Sequence, residues 1–70
     1  MEINFTLHSE ERMKKRNITE EEVTEAIKNP DKIIEKNRKR YSQKSIRSGI
    51  IEVVYEKLEK NIKVITVYWL

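Results

Sequence analysis

A single proline, Pro30, divides this sequence into two parts with different periodicities. Before it, Val23, Ala26 and Ile27 recur at helical spacing; after it, apolar residues alternate with a period of two, as in Ile65, Val67 and Trp69. The residue before a proline is pushed out of the helical region, so a helix must end at about Asn29. The only glycine, Gly49, marks the natural tight turn at Ser48-Gly49. The expected architecture is α+β: two N-terminal helices packed on one face of a three- to four-stranded antiparallel sheet, forming one domain over residues 1–70.

The helical part carries its own punctuation. Ile3, Phe5 and Leu7 alternate with Asn4 and Thr6, so the chain opens as a short strand or extended arm. A first helix starts between Thr6 and Ser9, both of which can cap it, and ends near Arg16 and Asn17. A second helix opens at Thr19, where Glu22 three residues on completes a capping box and Ile18 and Val23 form a hydrophobic staple. In the first helix His8, Arg12 and Arg16 recur every four residues and share one face, while Met13, with Ser9 a turn before it, points elsewhere.

After Pro30, a strand begins at Ile33 and Ile34, the charged run Asn37 to Arg40 forms a turn or exposed edge, and Tyr41 to Ile46 continues as a strand. Ile50 to Lys57 and Ile62 to Leu70 are strands joined by a loop over Leu58 to Asn61. Strict alternation puts Ile65, Val67 and Trp69 on the face under the helices, and Val64, Thr66 and Tyr68 on the other.

Composition narrows the function. There is no cysteine and only one histidine, which excludes disulfides and thiolate metal sites and leaves little for a histidine-based one. No metal or cofactor is expected. No apolar run approaches the roughly 20 residues that span a bilayer and no signal-peptide pattern opens the chain, so a soluble, cytoplasmic protein is expected. At 39% charged residues, with one Gly and one Pro, the sequence leans toward a thermophilic source. The basic excess is local. Residues 1–30 carry five basic and seven acidic residues, 31–48 seven and two, and 49–70 three of each. An anionic partner is expected to meet the middle segment.

Taken together, His8, Arg12-Met13, Arg16, Ile18-Thr19 with Val23, Asn29-Pro30, Tyr41, Val53-Val54-Tyr55, and Val64 with Thr66-Val67-Tyr68 form a pattern spanning nearly the whole chain. That pattern resembles a widespread prokaryotic domain family catalogued as a domain of unknown function and grouped by fold with the RelE-like and BrnT-like toxins of toxin–antitoxin systems. Asn17 stands where relatives often have glycine and Ser9 where they often have alanine. The resemblance implies the small α+β ribonuclease fold of those toxins, metal-independent cleavage of RNA (mRNA, free or on the ribosome), and a cognate antitoxin.

The residues suit that chemistry. Metal-free cleavage needs a base for the 2′-hydroxyl proton, cations for the phosphorane charge and an acid for the leaving 5′-oxygen. His8, near a helix N-terminus and beside two arginines, is expected to act as that base. Arg12 and Arg16 offer planar forks for phosphate oxygens. Tyr41, Tyr68 and Thr66 are expected to position the phosphate or stack a base, while Lys36, Arg38, Lys39, Arg40, Lys44 and Arg47 track the backbone. The same residues fit a nucleic-acid-binding module without catalysis, or an interaction subunit with a vestigial cleft. A chain of 70 residues buries only about 60% of its unfolded surface. Its strand ending in Tyr68, Trp69 and Leu70 is therefore expected to seek a partner, either along its edge or as a helix laid over its face, giving a homodimer when the antitoxin is absent.

Overall fold

The computed structural model describes residues 1–47 and 49–70; Ser48, half of the expected Ser48-Gly49 turn, lies outside the described residues. Among them the order is β1 (Glu2–Phe5), α1 (Leu7–Arg16), α2 (Glu20–Lys28), β2 (Lys32–Lys36), β3 (Lys39–Ile46), β4 (Gly49–Lys57) and β5 (Asn61–Trp69). The strands form one sheet in the order β1-β5-β4-β3-β2. The class is α+β as expected, but the sheet has five strands and is mixed. The arm at the N-terminus is a full strand, β1, paired parallel with β5 from Glu2 opposite Asn61 to Phe5 opposite Val64. Pairing between the chain's two ends leaves no mark in local periodicity.

Both helices begin and end for identifiable reasons. Thr6 caps α1: its hydroxyl accepts from the Ser9 N–H at 3.1 Å and donates to the Val64 carbonyl at 2.8 Å. Asn17 ends the helix in the left-handed region, with φ 57° and ψ 47°. That is the conformation glycine adopts without penalty, and asparagine tolerates it better than most residues. The capping box of α2 is complete, with Glu22 N–H to Thr19 Oγ1 at 3.1 Å and Thr19 N–H to Glu22 Oε1 at 2.9 Å. Pro30 does more than stop this helix. It stands where the donor for the Ala26 carbonyl belongs and has no N–H. The buried Ser42 hydroxyl on β3 supplies that donor, so the defect becomes a tie between helix and sheet.

The helices cover one sheet face. Met13, Ile18, Val23, Ala26 and Ile27 meet Ile51, Val53, Tyr55, Ile62, Val64 and Val67, with Phe5 and Trp69 at the rim. The expected division of β5 is corrected here. Val54 pairs with Thr66 but Tyr55 pairs with Val64, so Ile65 is an extra residue in the strand. This bulge shifts the alternation by one. Val64 and Ile62 therefore join Val67 and Trp69 under the helices, and Thr66 and Tyr68 remain on the open face.

The two hairpin turns also differ from a glycine-based reading. Asn37 (φ 53°) and Arg38 (φ 66°) alone connect β2 to β3, both in the left-handed region, as a two-residue turn of the primed type requires. Gly49 is inside β4, opposite Ile46, and its φ is not positive. Its role is space: a Cβ there would meet Trp69 Cε3 at 3.0 Å.

Candidate functional site

The margin of β5 not covered by β1 is fastened to α1 and its cap. Past Val64 the strand edge has no further β1 residue to pair with, and two side chains from α1 and its cap take over. Thr6 donates to the Val64 carbonyl, and Arg16 Nη1 donates to the Val67 carbonyl at 2.8 Å. In return the Trp69 indole N–H donates to the Arg16 carbonyl at 2.9 Å. These fastenings hold α1 alongside the strand, and His8 and Arg12 lie between them in sequence.

His8 is exposed and Arg12 half-buried, and the Arg12 Nε–H donates to His8 Nε2 at 3.4 Å. The contact uses the Nε2 lone pair and lies at the long limit of a hydrogen bond. His8, Arg12 and Arg16 thus share one helix face as their spacing implies. Their states differ: Arg16 is hydrogen-bonded to the strand, while the hydrogen bond of Arg12 goes to another side chain of its own helix.

Thr66 and Tyr68 project from the open face of β5, opposite Val54 and Glu52 of β4. The Tyr68 hydroxyl donates to Glu52 Oε1, and Gln43 Nε2 donates to Glu52 Oε2 at 2.9 Å. Burial, the bond to Glu52, the charge of Glu52 and that of Tyr41 together push the Tyr68 phenol up to about 12. It is therefore protonated at neutral pH with its proton committed to Glu52. What it offers a ligand is its ring and the lone pairs of its oxygen.

Sequence reasoning missed Glu52 and Gln43. The available signal for Glu52 was an acid inside the apolar run Ile51 to Tyr55, where a carboxylate stays buried only if other groups donate to it.

The seven residues expected to bind RNA, Tyr41 among them, do not form one surface. Lys36, Arg38 and Lys39 are exposed at the β2–β3 turn, and Tyr41 is half-buried on the open face, opposite Ile34 and Val54. Arg40 and Lys44 alternate with Tyr41 and so lie on the helix side. Arg40 reaches Glu35 at 3.7 Å, while Lys44 donates to the Asn29 carbonyl at 2.9 Å and lies 3.8 Å from Asp31. Arg47 donates to both Glu22 carboxylate oxygens, at 2.6 and 3.0 Å, and to the Asn17 carbonyl, and lies 5.4 Å from the Trp69 ring centroid. Burial acts to raise the Glu22 carboxyl, but the Thr19 N–H and the Arg47 guanidinium outweigh it and hold the group below its ordinary 4.5. Lys44 and Arg47 are thus engaged in joining the helices to the sheet.

β1 flanks β5 only as far as Val64, on the side away from β4, and Trp69 is half-buried against Gly49, Arg47 and Arg16. Leu70 stays exposed. No helix is long and apolar enough to cross a membrane among the described residues, and among them no cluster of three or more His, Cys, Asp or Glu could hold a metal ion.

Neither a curated protein nor a solved structure matches the chain. A family model does, over residues 5–69, a span that runs from the last residue of β1 to the end of β5 and takes in every candidate site residue. The chain belongs to the family described as domain of unknown function DUF4258.

Proposed function

We propose that the margin between α1 and β5 is an RNA site, and that this is a toxin-like, metal-independent endoribonuclease of a type II toxin–antitoxin system. The observation that carries the reading is the hydrogen-bonded pair of exposed His8 and half-buried Arg12, set on a helix that Thr6 and Arg16 fasten to β5, whose Thr66 and Tyr68 are on the sheet face away from the helices. A base and a phosphate-binding cation thereby share one rigidly mounted face.

A phosphodiester arriving there draws the Arg12 guanidinium onto its oxygens, because a charge-assisted bond to phosphate is stronger than a 3.4 Å bond to imidazole. That frees His8 Nε2 to accept the 2′-hydroxyl proton. The 2′-oxygen attacks phosphorus, the bond to the 5′-oxygen breaks, and the products are a 2′,3′-cyclic phosphate and a 5′-hydroxyl. Arg12 and the remaining N–H groups of Arg16 face the charge that develops on phosphorus. The leaving oxygen takes its proton from the His8 imidazolium or from water, because the Tyr68 proton is held by Glu52. Tyr41 and Tyr68 offer rings for stacking, and Lys36, Arg38 and Lys39 add a flanking cationic turn. An antitoxin covering this margin is the partner that the reading implies.

The test is cleavage of RNA in EDTA with analysis of the new ends. Wild-type protein is expected to leave 2′,3′-cyclic phosphate, and His8→Ala or Arg12→Ala to lower the rate at least ~100-fold. Full activity in both variants, or a requirement for divalent metal, contradicts the proposal. RNA binding without cleavage identifies a non-catalytic binding module instead.

A further inference from the structure

β2 is the least covered strand of the sheet. All five of its residues are exposed, and the apolar ones, Ile33 and Ile34, are 46% and 40% exposed. It ends the sheet beside β3, so the backbone N–H and C=O groups of alternate residues face outward with no neighbouring strand. The register with β3 assigns its faces. Ile33 is opposite Ser42, whose hydroxyl reaches α2, so Ile33 and Glu35 are on the helix side. Lys32, Ile34 and Lys36 are on the open side, in the order cation, apolar, cation.

Two-fold pairing of this edge with the same strand of a second copy does not fit. Two-fold symmetric antiparallel pairing keeps each sheet face on its own side, so every residue must oppose one on the same face, an even number of positions away. Centring the pair on Ile34 sets Lys32 against Lys36 of the copy, and centring it on Ile33 sets Asp31 against Glu35. Centring it on Lys32 or Glu35 sets that residue against itself. Every such register places like charges directly opposite, which destabilises cross-strand pairs. A strand of different composition has no such conflict.

We propose that the outer edge of β2 is a docking site for an extended segment of a different protein, whose residues over the open face read acidic, apolar, acidic. Such a segment continues the sheet by main-chain hydrogen bonds, covers Ile33 and Ile34 and pairs its acids with Lys32 and Lys36. Lys32 and Lys36 then act as selectors: they repel a second copy and attract the acidic strand.

The test is titration of isotope-labelled full-length protein, followed by backbone amide NMR. The probe is the capped peptide Thr-Glu-Lys-Ile-Val-Glu-Thr, whose antiparallel alignment sets its two Glu against Lys36 and Lys32. Amide shifts are expected at residues 32–36. The peptide with both Glu replaced by Lys should bind at least about tenfold more weakly, and the K32E/K36E protein should invert that preference. Both substitutions are at exposed positions, and the amide spectrum reports directly whether the variant folds. A peptide N-methylated at alternate residues should not bind. The proposal is overturned if millimolar peptide leaves residues 32–36 unshifted, if both peptides bind alike, or if N-methylation makes no difference. It is equally overturned if oligouridylate displaces the peptide and shifts the Lys32 and Lys36 amides while leaving Ile34 unmoved, because the edge is then a phosphate track. A dimer by sedimentation with residues 32–36 protected from exchange also overturns it.

Discussion

Beyond β1, the edge of β5 meets the Thr6 hydroxyl and the Arg16 guanidinium, whereas the outer edge of β2 has no neighbouring strand among the described residues. Both margins carry cations, but the backbone within reach gives them different work. Arg16 reaches a strand carbonyl and holds a helix in place; Lys32 and Lys36 lie on an exposed strand and remain available to a partner. The same division separates Arg47, committed to Glu22, Asn17 and Trp69, from Arg38 at the tip of its turn. The role of a basic side chain here follows from which carbonyls and carboxylates the fold brings to it, more than from its neighbours in sequence.

If the two margins differ in this way, truncations along them should differ most in stability. Trp69→Ala removes a half-buried indole, its bond to Arg16 and the surface under Arg47, and is expected to cost about 3 kcal/mol. Ile34→Ala on the exposed margin should cost under ~1 kcal/mol. Urea midpoints measure both, and equal losses would break the comparison.

Ser42→Ala tests the tie between α2 and the sheet. It leaves the Ala26 carbonyl without the donor that Pro30 cannot provide, at an expected cost of about 1–2 kcal/mol by the same assay. An unchanged midpoint would show that another group satisfies that carbonyl.

At the β2–β3 turn the sign reverses. Arg38→Gly relieves a non-glycine residue at φ 66° and should stabilise the fold by about 1 kcal/mol. Under the RNA reading it should also lower RNA affinity and reduce the salt slope by roughly 0.7 for one lost single-strand phosphate contact. Gained stability with unaltered binding would leave Arg38 as a turn residue only.

The smallest effect concerns Tyr68. A phenol raised from 10.0 to about 12 favours the folded state fully below pH 10 and loses that contribution as pH rises through 12. Glu52→Gln should bring the titration of Tyr68 down, as followed by ultraviolet absorbance in alkali, because it removes a nearby negative charge. Identical titration in both proteins would deny the link to Glu52.

Much of this architecture is legible in the residues themselves. Thr19 and Glu22, Ile18 and Val23, and Asn29-Pro30 define α2 because capping and proline chemistry act within a few residues. The start of α1 between Thr6 and Ser9, the shared face of His8, Arg12 and Arg16, and the run of strands after Pro30 are readable for the same reason, though the choice of Thr6 as cap is not. The parallel pairing of β1 is hidden because it joins opposite ends of the chain. The bulge at Ile65 is hidden because neither glycine nor proline marks it, and that single residue changes which side chains of β5 reach the open face. The commitment of Arg16, Lys44 and Arg47 to internal carbonyls and carboxylates depends on distances that only the folded chain supplies. So does the recruitment of Gln43 and Tyr68 by Glu52.

The central claim is that Arg12 serves a ligand alone, whereas Arg16 also holds the fold. Urea midpoint and RNA cleavage rate, measured side by side for Arg12→Ala and Arg16→Ala, test it most directly. Arg12→Ala should keep its midpoint within about 0.5 kcal/mol and lose activity at least ~100-fold. Arg16→Ala should lose about 2 kcal/mol of stability through the unpaired Val67 carbonyl and the loosened helix. A destabilised Arg12→Ala that still cleaves RNA, beside an Arg16→Ala of unchanged stability, would contradict the account.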